Sequence, residues 1–163
     1  MYEIKQETKE DWWDVESLLA LSFAPGREAL SSYRLRDGVL SIAKLCLIAR
    51  DFDGIIGGSI RFWPVQIGCN KVNALLLGPI AVHPTRQGEG VGGELIRSAL
   101  TLAKKDGWTR IVLIGDEIYY NKFGFKKSNF LRFPPPTNPN RLLYLELKPD
   151  AFKDVNGEIQ RFE

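Results

Sequence analysis

The segment that most constrains this chain is a glycine-rich run, HPTRQGEGVGGELI, at His83–Ile96, which directly follows an apolar stretch. Glycine lets the backbone approach a ligand closely, so glycines in succession can aim several backbone N–H groups at one anion. A helix that begins at Val91 would add the positive end of its dipole. The pattern therefore predicts a phosphate-binding loop between a strand and a helix.

Two phosphate-binding patterns fit this loop. Gly88, Gly90 and Gly93 fit G-x-G-x-x-G, the dinucleotide fingerprint, whereas Gln87, Gly90 and Gly92 fit Q-x-x-G-x-G, a pyrophosphate loop. The dinucleotide fingerprint starts where the first strand of a βαβ unit ends, but here five residues separate the strand from its first glycine. We favour the pyrophosphate loop. An NAD-binding oxidoreductase and a plain glycine-rich connection remain alternatives.

The strand before the loop reads NALLLGPIAVH, Asn73–His83, and it contains a proline. Proline cannot donate to a strand ladder, so Gly78-Pro79 predicts a bulge in an otherwise central strand. Beyond the bulge, Ile80, Ala81 and Val82 would diverge from the next strand and leave backbone groups unpaired. An extended ligand that carries amides could pair with them as an added strand does. A bulge at an ordinary edge, without a ligand, is the alternative.

Composition narrows the functional classes. The formal net charge is +2 and no basic run occurs, so we expect no nucleic-acid partner. Two isolated cysteines, Cys46 and Cys69, and the single His83 give no pattern for a metal site, so we expect free thiols in a reducing compartment. The charged N-terminus is unlike a signal peptide, and no apolar stretch approaches the length of about 20 residues that spans a bilayer. We expect a cytoplasmic protein with no membrane partner.

Apolar spacing and turn residues give the element order β-α-α-β-β-β-α-β-α-β, which predicts a mixed α/β fold with helices on a single sheet. Its first helix would be capped by Thr8 and a short later helix by Asp116. The predicted helices are Lys9–Ser22, Arg27–Arg36, Val91–Lys105 and Asp116–Lys122. The predicted strands are Tyr2–Gln6, Leu45–Asp51, Ile55–Val65, Asn73–Val82, Thr109–Ile114 and, as the last one, Leu142–Leu147.

A second informative segment, VLIGDEIYYNKFGF at Val112–Phe125, is rich in aromatic residues. We interpret Tyr119, Phe123 and Phe125 as core residues. Tyr120 is a candidate catalytic acid, because a phenol of pKa about 10 is neutral near pH 7 and can protonate a departing thiolate of pKa about 8.5. Core packing is the alternative for Tyr120 as well.

The two segments and the element order together resemble the GNAT superfamily of acyl-CoA-dependent N-acyltransferases. Gln87, Gly90 and Gly92 match its Q/R-x-x-G-x-G/A signature, and Tyr119–Phe125 contains its Y-x-x-x-G-F signature. The resemblance extends to a bacterial branch of predicted N-acetyltransferases through SIRFWPV, LLLGPIAVHP, GDEIYYNKFGF and LELKPDAF. It implies one domain over residues 1–163, with a single mixed, mostly antiparallel sheet, a splayed central bulged strand and flanking helices.

The resemblance also implies roles for residues. Acetyl-CoA would be the acyl donor and no metal would be needed. Tyr120 would be the general acid. The pantetheine arm would contact the backbone of Ile80, Ala81 and Val82. The pyrophosphate would contact Gln87, Gly88, Glu89, Gly90, Val91, Gly92 and Gly93. One departure is that many family members have a cofactor-binding asparagine in the segment that corresponds to Leu113–Tyr119, where this chain has none.

For the reaction we predict direct attack of a small-molecule or peptide amine on the thioester, without a covalent intermediate on a cysteine. The backbone N–H of Val82 would polarise the carbonyl. Asp116 is the first candidate for the base, although it also suits a helix cap, and Glu117 and His83 are weaker candidates.

The acceptor is expected near the second helix and the third strand. Tyr33, Arg34 and Trp63 are the residues that we predict to contact it. An acyl-CoA-binding sensor without turnover is the alternative function, and a homodimer is compatible with either.

Overall fold

The computed structural model describes residues 2–22 and 31–163. Within those ranges the helices are α1 (Trp12–Ser22), α2 (Ser31–Arg36), α3 (Val91–Lys105) and α4 (Glu117–Tyr120). The strands there are β1 (Glu3–Gln6), β2 (Leu47–Arg50), β3 (Ile56–Ile67), β4 (Val72–Val82), β5 (Arg110–Ile114), β6 (Lys126–Lys127), β7 (Leu131–Arg132), β8 (Leu142–Glu146) and β9 (Gly157–Arg161). The first part of the predicted helix from Arg27 lies outside the described residues. None of the described helices has the length and apolarity needed to cross a membrane.

The strands form a mixed, mostly antiparallel sheet in the order β1-β2-β3-β4-β5-β8-β6. Along this path the β4–β5 pair is parallel and its other pairs are antiparallel. This confirms the predicted fold class. The prediction that Leu142–Leu147 is the last strand was wrong, because β9 follows it and pairs with β3 at Val65–Ile67. The sequence of β9, GEIQR, is short and mostly polar, so it carries no apolar alternation that would reveal a strand.

A bulge in β4 opens the sheet at its centre. Ile80 lies opposite Ile60 and Leu77 lies opposite Phe62, so two residues of β4, Gly78-Pro79, face one residue of β3. On its other side β4 pairs with β5 at two positions only, Leu75 and Leu76. Beyond Leu77 the two strands separate and a cleft begins. The predicted bulge and the predicted divergence after it are both present.

Helices cover the two faces of the sheet. The apolar stripe of α3 packs over β2, β3 and β4, and α1 packs on the opposite face over β3 and β4. Gly58 on β3 permits the close approach of α3, since a Cβ there would lie 2.8 Å from Val91 Cγ1 and 3.0 Å from Leu95 Cδ1. This contact fixes the N-terminal end of α3 beside the cleft.

A buried ion cluster joins three elements on the α1 side. Arg61, the β3 residue opposite the bulge, donates to both carboxylate oxygens of Glu7 at 3.0 and 2.8 Å and to Glu16 of α1 at 2.7 Å. The two carboxylates raise the pKa of the Arg61 guanidinium above its ordinary value, against the effect of burial. The cluster therefore holds the end of β1, the first helix and the bulged strand pair together.

We expect Glu7→Gln to lower the free energy of unfolding by about 3 kcal/mol, because it leaves the buried guanidinium of Arg61 with incomplete charge compensation. Glu3→Gln on the same strand is the matched control. Its exposed pair with Lys5 should contribute within about 0.5 kcal/mol. Urea denaturation of the two variants measures both values, and equal losses would contradict a structural role for the cluster.

Candidate active site

Two cavities meet where β4 and β5 diverge. One has a volume of about 550 Å³ and lies along the glycine-rich loop, and we call it the loop cavity. The other has a volume of about 700 Å³ and lies between the bulge of β4 and the end of β5, and we call it the cleft cavity. Ile80, Tyr119 and Tyr120 line both. The two motifs that the sequence singled out therefore meet at one place.

The loop cavity is shaped by glycines. Gly88 and Gly90 have left-handed φ angles of 87° and 82°, and Gly90 is the N-cap of α3, which begins at Val91. Gly92 has little room for a side chain, since a Cβ would lie 3.2 Å from the hydroxyl oxygen of Tyr119. The predicted phosphate-loop residues that line this cavity are Gln87, Gly88, Gly90, Val91, Gly92 and Gly93.

Backbone pairing decides which groups of β4 face the cleft. The N–H of His83 donates to the carbonyl of Gly57 at 2.8 Å, and hydrogen-bonded pairs alternate along antiparallel strands. The Ala81 backbone therefore bonds β3, and its side chain is buried in the cluster under α1. Ile80 and Val82 direct their N–H and C=O groups away from β3, toward the cleft. The predicted ligand contact of Ala81 is thus not supported by the geometry, while those of Ile80 and Val82 are.

Glu89 also lies apart from the loop cavity, although it was predicted to contact the ligand. Its carboxylate accepts a hydrogen bond from the Tyr2 hydroxyl at 2.7 Å and lies 4.0 Å from the guanidinium of Arg86. A carboxylate would repel phosphate, and these contacts hold it on the outer side of the loop. The Glu89 side chain therefore ties the loop to Tyr2, the residue before β1, so the predicted contact of Glu89 with an anion would have to come from its backbone N–H.

Besides Arg86, which pairs with Asp51, two cations that the sequence analysis missed line the loop cavity, namely Arg97 on α3 and Lys122. Neither forms an ion pair with any residue of the described ranges, and Lys122 Nζ lies 4.2 Å from the centre of the Tyr119 ring. Arg97 follows Gly93 by four residues and so lies on the same helix face, a spacing that could have revealed it. Both are free to contact an anionic ligand.

Tyr120 stands at the junction of the two cavities. Its ring packs edge-on against Tyr119 and Phe125, with centroid distances of 5.0 and 5.9 Å. A Cβ on Gly115 would lie 2.5 Å from Tyr120 Cε2, so the ring occupies the space that this glycine leaves open. Burial raises the pKa of the Tyr120 phenol to about 12. Its hydroxyl has no hydrogen-bond partner in the part of the chain that the structure describes, so it can donate to a ligand.

The candidate bases differ in position. Asp116 lines the cleft cavity, is exposed, and accepts a hydrogen bond from the N–H of Ile118 at 3.1 Å as the cap of α4. The cap that the sequence suggested is therefore present, and one oxygen of the carboxylate remains available. His83 Nδ1 instead contacts Thr85, and neither His83 nor Glu117 lines the two cavities.

The predicted acceptor residues are divided between two cavities. Tyr33 lines the cleft cavity and also a neighbouring cavity of about 490 Å³ beside α1, whereas Arg34 and Trp63 line only the latter of these two. Arg34 donates to the carbonyl of Pro135. Sequence reasoning missed several residues of the cleft wall because they lie in a proline-rich connection with no periodic pattern. They are Phe133, Pro136, Thr137, Asn138 and Arg141.

Comparison with known proteins identifies the family. The model of the acetyltransferase (GNAT) domain matches residues 43–127, and the chain belongs to this family. Uncharacterized N-acetyltransferase YhbS of Escherichia coli K12 is 28% identical over 98% of this chain and 96% of its own length. Uncharacterized N-acetyltransferase YjhQ of the same strain is 30% identical over 72% of this chain and 66% of its own length.

Solved structures agree with this assignment. The crystal structure of E. coli YhbS in complex with CoA has a TM-score of 0.86 at 28% identity and covers 99% of this chain and 90% of that one. A GNAT family acetyltransferase from Brucella melitensis in complex with acetyl-CoA has a TM-score of 0.75 at 29% identity, with 99% and 96% covered. The resemblance inferred from the motifs is confirmed. The dinucleotide interpretation of the glycines was wrong, and the antiparallel pairing of β4 with β3 also differs from a doubly wound parallel sheet.

We expect Gly115→Ala to lower the free energy of unfolding by about 1–3 kcal/mol, because the added methyl overlaps the Tyr120 ring. The loss should shrink when the same change is made in a Tyr120→Ala background, where the overlapping atoms are absent. Denaturation of the four proteins of this cycle gives the coupling energy. A coupling of zero would show that the ring does not rest against Gly115.

Proposed function

We propose that this protein transfers an acetyl group from acetyl-CoA to a primary amine by direct attack, with Tyr120 as the general acid for the CoA thiolate. The observation that carries the proposal is that backbone groups of Ile80 and Val82 face the same cleft as the half-buried phenol of Tyr120, which has no hydrogen-bond partner among the described residues. The ligands in the related YhbS and Brucella structures support it. We also propose that residues 1–163 act as one acetyltransferase domain.

The residues of the loop cavity fit acetyl-CoA, which supplies an activated acyl group and a leaving thiolate. Backbone N–H groups of Gln87–Gly93 and the N-terminal end of α3 would bind the pyrophosphate. Arg97 and Lys122 would add charge-assisted contacts to phosphate oxygens. Ile80 and Val82 would pair with the amides of the pantetheine arm as an added strand.

The cleft would hold the two reactants together, so proximity would supply much of the rate. The Val82 N–H would polarise the thioester carbonyl, since a fixed donor in a partly buried site stabilises developing negative charge. This donor costs no reorganisation at the moment of reaction, because pairing with β3 already sets its direction.

The raised pKa of Tyr120 shapes its proposed role. At about 12 it exceeds the pKa of an ordinary thiol, about 8.5, so complete transfer of the phenol proton alone would be uphill by about 5 kcal/mol. We propose that the hydroxyl donates to the sulfur as the C–S bond breaks and is reprotonated as the attacking nitrogen loses its proton. Asp116 would relay that proton from the nitrogen to Tyr120 through a water molecule, so that in total one proton moves from the nitrogen to the sulfur.

We expect Tyr120→Phe to lower kcat about 100-fold or more while acetyl-CoA still stabilises the protein against heat. Release of the CoA thiol with a panel of primary amines measures the rate, and a thermal-shift titration measures binding. Tyr144→Phe is the matched control, since Tyr144 packs against Phe130 and Phe152 away from both cavities. Binding without turnover in the unmodified protein would instead support the sensor alternative.

The pH profile tests the protonation state of the acid. An acid must be protonated to act, and burial keeps the Tyr120 phenol protonated up to its pKa of about 12. We therefore expect kcat/KM to show no fall that is due to Tyr120 below about pH 11, and we expect Tyr120→Phe to lower the whole profile without changing its shape. A descending limb near pH 9 that the substitution abolishes would contradict this assignment.

A further inference from the structure

Arg141 lines the cleft cavity, in which we place the acceptor, but it does not line the loop cavity, in which we place the cofactor. Its guanidinium forms no ion pair and donates no hydrogen bond to any residue of the two described ranges. A cation at the wall of a binding cavity, without a partner of its own, is available to a ligand.

The backbone around Arg141 is held firmly beside the catalytic segment. Its N–H donates to the carbonyl of Asn138 at 2.9 Å, and its carbonyl accepts from the N–H of Gly115 at 2.9 Å. The Asn138 side chain accepts from the N–H of Asn140 at 3.0 Å and so fixes the turn. Arg141 also lies near enough to Tyr120 to offset part of the rise in the pKa of that phenol. The charge of this exposed arginine therefore reaches the Tyr120 phenol.

The charges around the cleft cavity favour an anion. Asp116 is the one carboxylate among its described lining residues, and that carboxylate already accepts the cap hydrogen bond of α4. A second guanidinium, that of Arg36, lines the same cavity and lies 3.4 Å from the centre of the Tyr33 ring. Much of the remaining wall is apolar, at Leu76, Leu77, Pro79, Ile80, Ile114 and Phe133.

We propose that the acceptor is an amine that also carries an anionic group, a carboxylate or a phosphate, and that Arg141 binds this group. The inference rests on the proposed function and names the substrate class of the same site. A guanidinium binds both anions through paired N–H donors, so this chemistry is shared by apolar amino acids and by phosphorylated amino alcohols. The positive surroundings also favour the neutral form of the attacking amine, which is the nucleophile.

Matched acceptors test the proposal at saturating acetyl-CoA. The pairs are leucine with leucinamide, phenylalanine with phenylalaninamide, and phosphoethanolamine with ethanolamine. We expect the anionic member of at least one pair to have a kcat/KM about tenfold higher or more. The amino-acid and phosphate arms distinguish the two sources of the anion. Equal or better use of every neutral member would overturn the proposal.

Variants separate binding from catalysis. Arg141→Gln should abolish the preference mainly through KM, and Arg141→Lys should retain part of it, while the Kd for acetyl-CoA stays within about twofold. Arg132→Gln, at an exposed arginine of β7 outside the cavities, is the control and should retain the preference. A preference that survives Arg141→Gln would contradict the assignment.

Binding of the same compounds to the CoA-bound protein keeps this inference separate from the proposed function. If no amine is acetylated, stabilisation by the anionic members that is lost in Arg141→Gln would still support the anion site, while the acetyltransferase proposal would fail. If acetyl-CoA binds and neutral amines are acetylated without any effect of Arg141, the proposed function stands and the inference about the acceptor fails.

Discussion

The bulge at Gly78-Pro79 is the constraint on which the remainder of the site depends. It allows β4 to stay paired with β3 on both sides of the bulge while it leaves β5 after two paired positions. Buried backbone groups need partners, so a strand that diverges in the middle of a sheet must find them elsewhere. The groups of Ile80 and Val82 that face the cleft are therefore set by the pairing of β4 and not by any side chain.

The elements around the opening compensate for the lost pairing. Arg61, which faces the bulge across the ladder, joins β3 to the end of β1 and to α1 through Glu7 and Glu16. On the other face, Gly58 brings α3 close to β3, so that the first turn of the helix borders the cleft. Packing on both faces thus holds the bulged strand pair in place while the neighbouring pair stays open.

Local features of the sequence predicted much of this arrangement. The proline within an apolar strand predicted the bulge, the glycines predicted a loop between a strand and a helix, and the spacing of Val91–Lys105 predicted α3 with its bounds. Features that depend on long-range contacts were missed. β9 is a strand because β3 accepts it as a partner, and Arg141 lies in the cleft because its backbone bonds the residue before Asp116. Neither contact produces a pattern in the nearby sequence that could predict it.

The same dependence on long-range contacts explains why two predicted ligand residues, Ala81 and Glu89, do not line the two cavities. A motif marks a run of residues, but strand pairing alternates within the run, so Ala81 bonds β3 while its two neighbours face the cleft. Glu89 lies within the glycine loop, yet its charge suits the contacts with Tyr2 and Arg86 better than a phosphate. Geometry at the scale of single residues therefore refines what a motif assigns to a segment.

Charged side chains line both cavities of the cleft, and Tyr120 lies where the two cavities meet. Arg97 and Lys122 line one cavity and Arg141 lines the other, whereas the phenol is surrounded mainly by aromatic rings and backbone. Burial disfavours the phenolate, which is why the pKa rises to about 12 although the charge of Arg141 lowers it. A proton donor in this position stays neutral while anionic groups approach from both ends. The proposed anion binding at both ends and the proposed acid catalysis between them are thus compatible, because burial keeps the phenol protonated.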